Sequence, residues 1–208
     1  LPPKIKFNFM ARGEPLENPL IAEDLYKLTD HLEYLARAFG FTSDLVWGVS
    51  TIVPKDLLNR PFFWTPHDPR VTIYYSAYSC DEEWRKRWLP KAAPFRTAIE
   101  VLRQYQISTG NPVAVHFPVI KGENDDLAMI DEMASIIEQS GLVGKFNLVG
   151  YNPPSTSRSE EATKEIRDQV FARMSLAFGG NGSRVVPRVG YDVKASCGMF
   201  LTEEDLDE

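Results

Sequence analysis

A chain of 208 residues is long enough to bury one substantial core or to form one large piece of a barrel. An apolar fraction of 43% and a charged fraction of 25% are ordinary for a globular protein, and no apolar run approaches the roughly 20 residues that span a bilayer. The net charge of −6 excludes a surface given over as a whole to nucleic acid, though not a local basic face; two cysteines exclude a disulfide framework and, with no signal peptide in view, point to a reducing cytoplasm.

Leu1-Pro2-Pro3 opens the chain without a methionine, which reads as a fragment or a processed chain. The first strand-like run covers residues 5–10, and Gly13-Glu14-Pro15 follows it as a turn. Leu25, Leu28, Leu32, Leu35 and Phe39 recur at spacings of three and four and predict an amphipathic helix with Gly40 at its C-cap. Residues 45–49 form the second run, ending in Ser50-Thr51, and residues 59–70 carry the prolines and aromatics of a loop. Residues 71–75 form the third run, with Ser76 and Tyr78 after it. Trp84 and Trp88 then lie four apart among Arg85, Lys86, Arg87 and Lys91. Aromatics among cations suit RNA stacking; two indoles at that spacing equally suit a helix anchor with solvated charges.

Residues 113–120 form the fourth run. Lys121-Gly122-Glu123-Asn124-Asp125 turns into a helix capped by Asp125 or Asp126, carrying Leu127, Ile130, Met133 or Ala134, and Ile137, and closed by Gly141. Residues 146–149 are the fifth run, followed by Tyr151-Asn152-Pro153. Ile166, Val170, Met174 and Ala177 mark a third helix, residues 184–189 a short last strand, and residues 202–208 an acidic, frayed tail. Alternating strands and helices predict an α/β fold with a parallel sheet. Near-continuous apolar strands suggest burial on both faces. About five strands are too few for a closed eightfold barrel. Ligands bind beyond the carboxyl ends of such strands, and every turn motif above lies at one. His31, His67 and His116 show no metal-ligand spacing, and no Gly-rich phosphate loop is present.

Taken in order, Gly13-Glu14-Pro15, Val49-Ser50-Thr51, Ile120 to Asp125, Tyr151-Asn152-Pro153 and Ser196-Cys197-Gly198 resemble the C-terminal two-thirds of the RlmN/Cfr family of radical S-adenosylmethionine (SAM) RNA (adenine) methyltransferases. The resemblance runs from Lys4 to Phe200. It implies a partial (β/α) barrel of radical SAM type, without its first strand and cluster loop in this chain, formed by residues 1–201 as a single core ahead of the tail. It implies methylation of an RNA adenine through a methyl-cysteine on Cys197. Gly13 and Glu14 would meet the SAM amino group, and Ser50, Ser76 and Asn152 would hold its ribose and carboxylate. The implied cofactors are SAM and a 4Fe-4S cluster held by a Cys-x-x-x-Cys-x-x-Cys motif. Cys80 and Cys197 cannot form that motif, so the isolated chain is not expected to turn over.

The chain also departs from the family. Ser76-Ala-Tyr78-Ser79 stands where Ser-Leu-His-Ala is common, and Ser50-Thr51 runs into Ile52-Val53-Pro54 two residues early. Cys80 stands at a usual proline and reads as a packing residue. These departures keep two alternatives open: a diverged radical SAM redox enzyme with another substrate, or a cluster-less module that binds SAM, a nucleotide or a partner. RNA is the partner implied, with no membrane. The uncovered strand at residues 5–10 is expected either to pair with another copy or to promote aggregation.

Overall fold

The computed structural model describes residues 4–10, 13–22, 25–59, 70–153 and 158–188. Its frame is one parallel sheet of six strands in the order β1-β2-β3-β4-β5-β6: β1 (Lys4–Phe9), β2 (Asp44–Thr51), β3 (Val71–Ser76), β4 (Val113–Phe117), β5 (Gly144–Leu148) and β6 (Arg184–Val185). Each strand pairs with the next in sequence, so every crossover lies on one side. Strand twist then curls the sheet into a half-barrel with helices outside and a concave inner face, the lumen. Among the described residues β1 and β6 are its edges.

The helices between the strands are α1 (Pro19–Ala22), α2 (Leu25–Ala38), α3 (Glu82–Trp88), α4 (Phe95–Thr109), α5 (Leu127–Ser140) and α6 (Lys164–Ala177). Local signals start and stop them as read from the sequence. Asp126 caps α5, accepting from the Ala128 N–H at 3.0 Å, while Asp125 closes the preceding turn on the Gly122 N–H at 2.9 Å. Gly141 ends α5 in the left-handed region, where a Cβ would be strained. β4 stops at Phe117, three residues short of the sequence expectation, because Pro118 has no N–H for the ladder. α4 adds to the three periodic helices and buries Phe95, Ile99, Leu102 and Tyr105.

The core fills the space between the sheet's outer face and the helices. Trp47, Ile73, Tyr75, Val115, Phe117 and Phe146 meet Ile99, Leu102, Ile130, Met133, Val170 and Met174. Burial on both faces, expected from the near-continuous strands, holds only in part: Ala114 and Asn147 are buried on the inner face, whereas β3 is half-buried there. β3 alternates strictly between buried and half-buried residues, because its inner face borders the lumen. Among the described residues no helix is long and apolar enough to cross a membrane.

Candidate functional site

Alternation along each strand sends every second side chain into the lumen, and the register sets these residues in rows. One row is Asn8–Gly48–Thr72. The next is Ser50–Tyr74–Ala114. Nearest the carboxyl ends lies Ser76–His116–Asn147–Arg184. The inner wall is thus polar where the outer wall is apolar.

Close packing shapes this wall. A Cβ on Gly48 would stand 2.4 Å from Asn8 Oδ1 and 3.2 Å from Tyr74 Cε2, so only glycine lets those side chains close over β2. Lys6 Nζ donates to the Tyr74 hydroxyl. The Tyr74 and His116 rings have centroids 6.2 Å apart. Ser76 Oγ and His116 Nε2 share a hydrogen bond of 2.9 Å. Burial pushes the His116 pKa down to about 4, so the imidazole is neutral at pH 7. Asn147 is 3% exposed, and its side-chain oxygen has no hydrogen-bond partner among the described residues.

The rim above this wall is cross-braced. Glu14 accepts from the Leu16 N–H at 3.0 Å and from the Ile52 N–H at 2.9 Å, tying the turn after β1 to the turn after β2. Its carboxyl pKa is raised, chiefly by burial and against the pull of those hydrogen bonds. Val53 N–H donates to Thr51 Oγ1 at 2.8 Å, and the Val53 carbonyl accepts from the Ala93 N–H at 2.8 Å. Asn124, fully buried, donates to the carbonyls of Tyr78 at 3.0 Å and Pro118 at 3.1 Å and accepts from the Ile120 N–H at 2.7 Å. Arg85, also buried, reaches the carbonyls of Ala77, Ser79 and Ala93 at 2.9, 3.0 and 2.7 Å. Glu161 accepts from the Tyr151 N–H at 2.8 Å and pairs with Arg167 and Arg188, each at 2.9 Å. The Arg188 guanidinium fills the space a Cβ would take on Gly150. Val53 and Tyr78 hold positive φ values of 55° and 58°, each two residues beyond a strand end. Strain of this kind in β-branched or bulky residues concentrates at functional rims.

The residues singled out from sequence therefore share one end of the sheet but differ in what they do there. Gly13 is exposed at φ 107°, with open space around it. The Glu14 side chain is spent on the scaffold, leaving backbone groups of this turn to face a ligand. Ser50 lies on the inner face opposite Tyr74. The Ser76 hydroxyl is engaged with His116. Asn152 is half-buried beside the braced Tyr151. Cys197 and its flanking residues lie outside the described residues, as does the tail 202–208.

The basic cluster resolves as a helix anchor. Arg85 is buried, Lys86 pairs with Glu83 at 2.6 Å, Arg87 pairs with Glu123, and Lys91 pairs with Glu17 at 3.2 Å. Trp84 stacks on Trp88 at 5.5 Å, and Trp88 Nε1 donates to Glu123 at 3.0 Å. A cleft of about 320 Å³ beside them is lined by four carboxylates, Asp81, Glu83, Glu123 and Asp126, against one cation, Arg87, a poor setting for phosphates. Cys80 is half-buried against the Met129 carbonyl, with its thiol pushed up to about 11 by burial, which makes it inert. Among the described residues no group of three or more His, Cys, Asp or Glu could hold a metal, and the two cysteines cannot supply three thiolates. A 4Fe-4S cluster thus finds no ligand set in this chain.

Sequence signals for the wall were present but unread. Lys6 and Asn8, Thr72, Tyr74 and Ser76, and Lys145 and Asn147 are polar residues two apart, the mark of one strand face.

No family model matches the chain. It is 28% identical to the dual-specificity RNA methyltransferase RlmN of Wolinella succinogenes, over 99% of this chain and 54% of that protein. It is 23% identical to the probable dual-specificity RNA methyltransferase RlmN of Lysinibacillus sphaericus, over 96% of this chain and 50% of that protein. It is 26% identical to the ribosomal RNA large subunit methyltransferase Cfr of Lachnoclostridium phytofermentans, over 96% of this chain and 57% of that protein. The chain spans about half the length of the curated relatives it matches. A radical SAM methyltransferase from Sphaerobacter thermophilus superposes with a TM-score of 0.66 at 22% identity, covering 92% of this chain and 53% of that one. A domain of pyruvate-formate lyase-activating enzyme from Bacteroides vulgatus gives a TM-score of 0.55 at 18% identity, covering 88% of this chain and 98% of that one. The fold is a partial (β/α) barrel like that of the radical SAM proteins on which it superposes, and the resemblance to RlmN and Cfr extends over nearly the whole chain.

Proposed function

We propose that this chain, with residues 1–201 as one core, is the cofactor-binding and methyl-carrying part of a radical SAM enzyme of the RlmN/Cfr type that methylates an adenine in RNA. The observation that carries this reading is the placing of the turn motifs. In family order, they close the carboxyl ends of successive strands around one polar lumen.

Gly13, Glu14, Ser50, Ser76 and Asn152 would hold SAM, which when bound supplies the reactive methyl and adenosyl groups. The open space at Gly13 lets a ligand reach the backbone of the turn. The bonds from Glu14 to Leu16 and Ile52 keep that turn in place beside Ser50. Neutral hydroxyls and amides fit a zwitterionic ligand because they donate and accept without adding charge. Cys197 would carry the methyl group on its sulfur. A cluster would require thiolates beyond Cys80 and Cys197, so no step is assigned through it here.

The test is mass spectrometry of the peptide containing Cys197 after methyl-labelled SAM is incubated with an enzyme that joins this chain to a segment carrying three cluster thiolates. Label on Cys197, absent in Cys197→Ala together with RNA methylation, is expected. Methylation of RNA adenine with no label ever on Cys197 would sink the proposal.

One observation favours the second reading, an enzyme of this fold with another substrate. The cations that could have gripped RNA beside Trp84 are buried or paired. Methylation of ribosomal RNA that depends on Cys197 would remove that reading.

A further inference from the structure

The row Ser76–His116–Asn147 has a chemistry of its own. Its three side chains come from β3, β4 and β5 and face the lumen in register. His116 is neutral and bound to Ser76, and the row's positive charge lies at its far end, where Arg184 pairs in register with Asn147. No carboxylate stands in it to attract a cation. Asn147, between the core residues Phe146 and Leu148, must turn away from the core, and its buried side-chain oxygen is unpartnered among the described residues. A buried acceptor left unpaired destabilises the fold, and a ligand donor would recover that loss. The His116 ring, next to Asn147 in register, adds a flat aromatic neighbour. An asparagine amide presents an acceptor and a donor side by side, which is the complement of adenine's exocyclic amine and adjacent ring nitrogen.

We infer that this row is a base-reading subsite in which Asn147 recognises the amino edge of an adenine, with the Ser76–His116 pair holding the wall beside it. The inference rests on the proposed function only in that a nucleoside enters the lumen. The adenine comes either from the cofactor or from the RNA, and the chemistry is the same for both.

The test is calorimetric titration of the chain with two ligand pairs. One pair is S-adenosylhomocysteine and its 6-oxo counterpart, S-inosylhomocysteine. The other is a short RNA oligomer with adenine or with hypoxanthine at one position. An expected loss of about tenfold or more accompanies the amino-to-oxo change in at least one pair. Asn147→Ala should bring that ratio close to one. It should leave the thermal transition in place, since the truncated oxygen has no bond to lose among the described residues. Discrimination in the homocysteine pair assigns the subsite to the cofactor's adenine, and discrimination in the oligomers assigns it to the substrate base. Equal affinity for amino and oxo forms in both pairs overturns the inference without recourse to any variant. If S-adenosylhomocysteine binds in that case, the SAM site itself stands.

Discussion

His116 makes stability depend on pH in a direction and range set by its burial. Its pKa falls from 6.5 to about 4 on folding, with desolvation as the cause. The native state therefore binds fewer protons than the unfolded state between those values, and acidification favours unfolding. The full contribution is present above the unfolded pKa and is lost as the pH falls toward the folded one. At about 1.4 kcal/mol per unit, the whole window amounts to ~3 kcal/mol, and about pH 5 already removes ~2 kcal/mol. The side chain is only partly screened from solvent, so these values are upper bounds. His116→Gln keeps a hydrogen-bonding group beside Ser76 and has nothing to titrate. Urea denaturation of both proteins near neutrality and at about pH 5 isolates the difference, because all other groups are shared. The wild type should lose up to about 1 M more in urea midpoint than the variant on acidification. Parallel midpoints in the two proteins would refute the argument that His116 is held neutral by the wall.

Other expected outcomes follow from the same packing. Gly48→Ala drives a methyl toward the side-chain ends of Asn8, Lys6 and Tyr74, of which Asn8 and Lys6 can swing aside, and should destabilise by about 1 kcal/mol at most in denaturant titration. Asn124→Ala leaves the Tyr78 and Pro118 carbonyls and the Ile120 N–H without their partner; a loss of about 2–4 kcal/mol is expected, and a near-neutral result would show that the rim does not depend on it. Arg85→Lys replaces a fork that serves three carbonyls with a single ammonium, and thermal melting should fall by the equivalent of about 2 kcal/mol. Cys80→Ala should leave S-adenosylhomocysteine binding unchanged in calorimetry, as the thiol bonds the Met129 carbonyl and otherwise packs against the core.

What could be read from the sequence was local. Asp126 and Gly141 announce the ends of α5, and Gly13-Glu14-Pro15 and Tyr151-Asn152-Pro153 announce strand ends, because caps and turns are decided within a few residues. What could not be read depended on partners far along the chain. Glu14 is absorbed by Ile52, 38 residues on. Asn124 reaches Tyr78 across 46 residues, and Ser76 meets His116 across 40. Arg85 looked like one cation of a surface cluster and proved to be a buried staple, because exposure is a property of the packed helix. The inner wall was masked by the apolar residues interleaved with it on every strand, and register was needed to join its polar residues into rows.

The bracing of the rim separates two kinds of residue that evolution can treat differently. Asn124, Arg85, Glu14 and Glu161 tie backbone to backbone around the mouth, and their loss would slacken several loops at once. The lumen residues below them project from strands whose ladders are complete without their side chains. Exchanges such as those at Ser50 or His116 can therefore retune what the mouth admits while its outline persists. A scaffold divided in this way can hand the same cofactor geometry to successive substrates, with the frame inherited and the lining renegotiated.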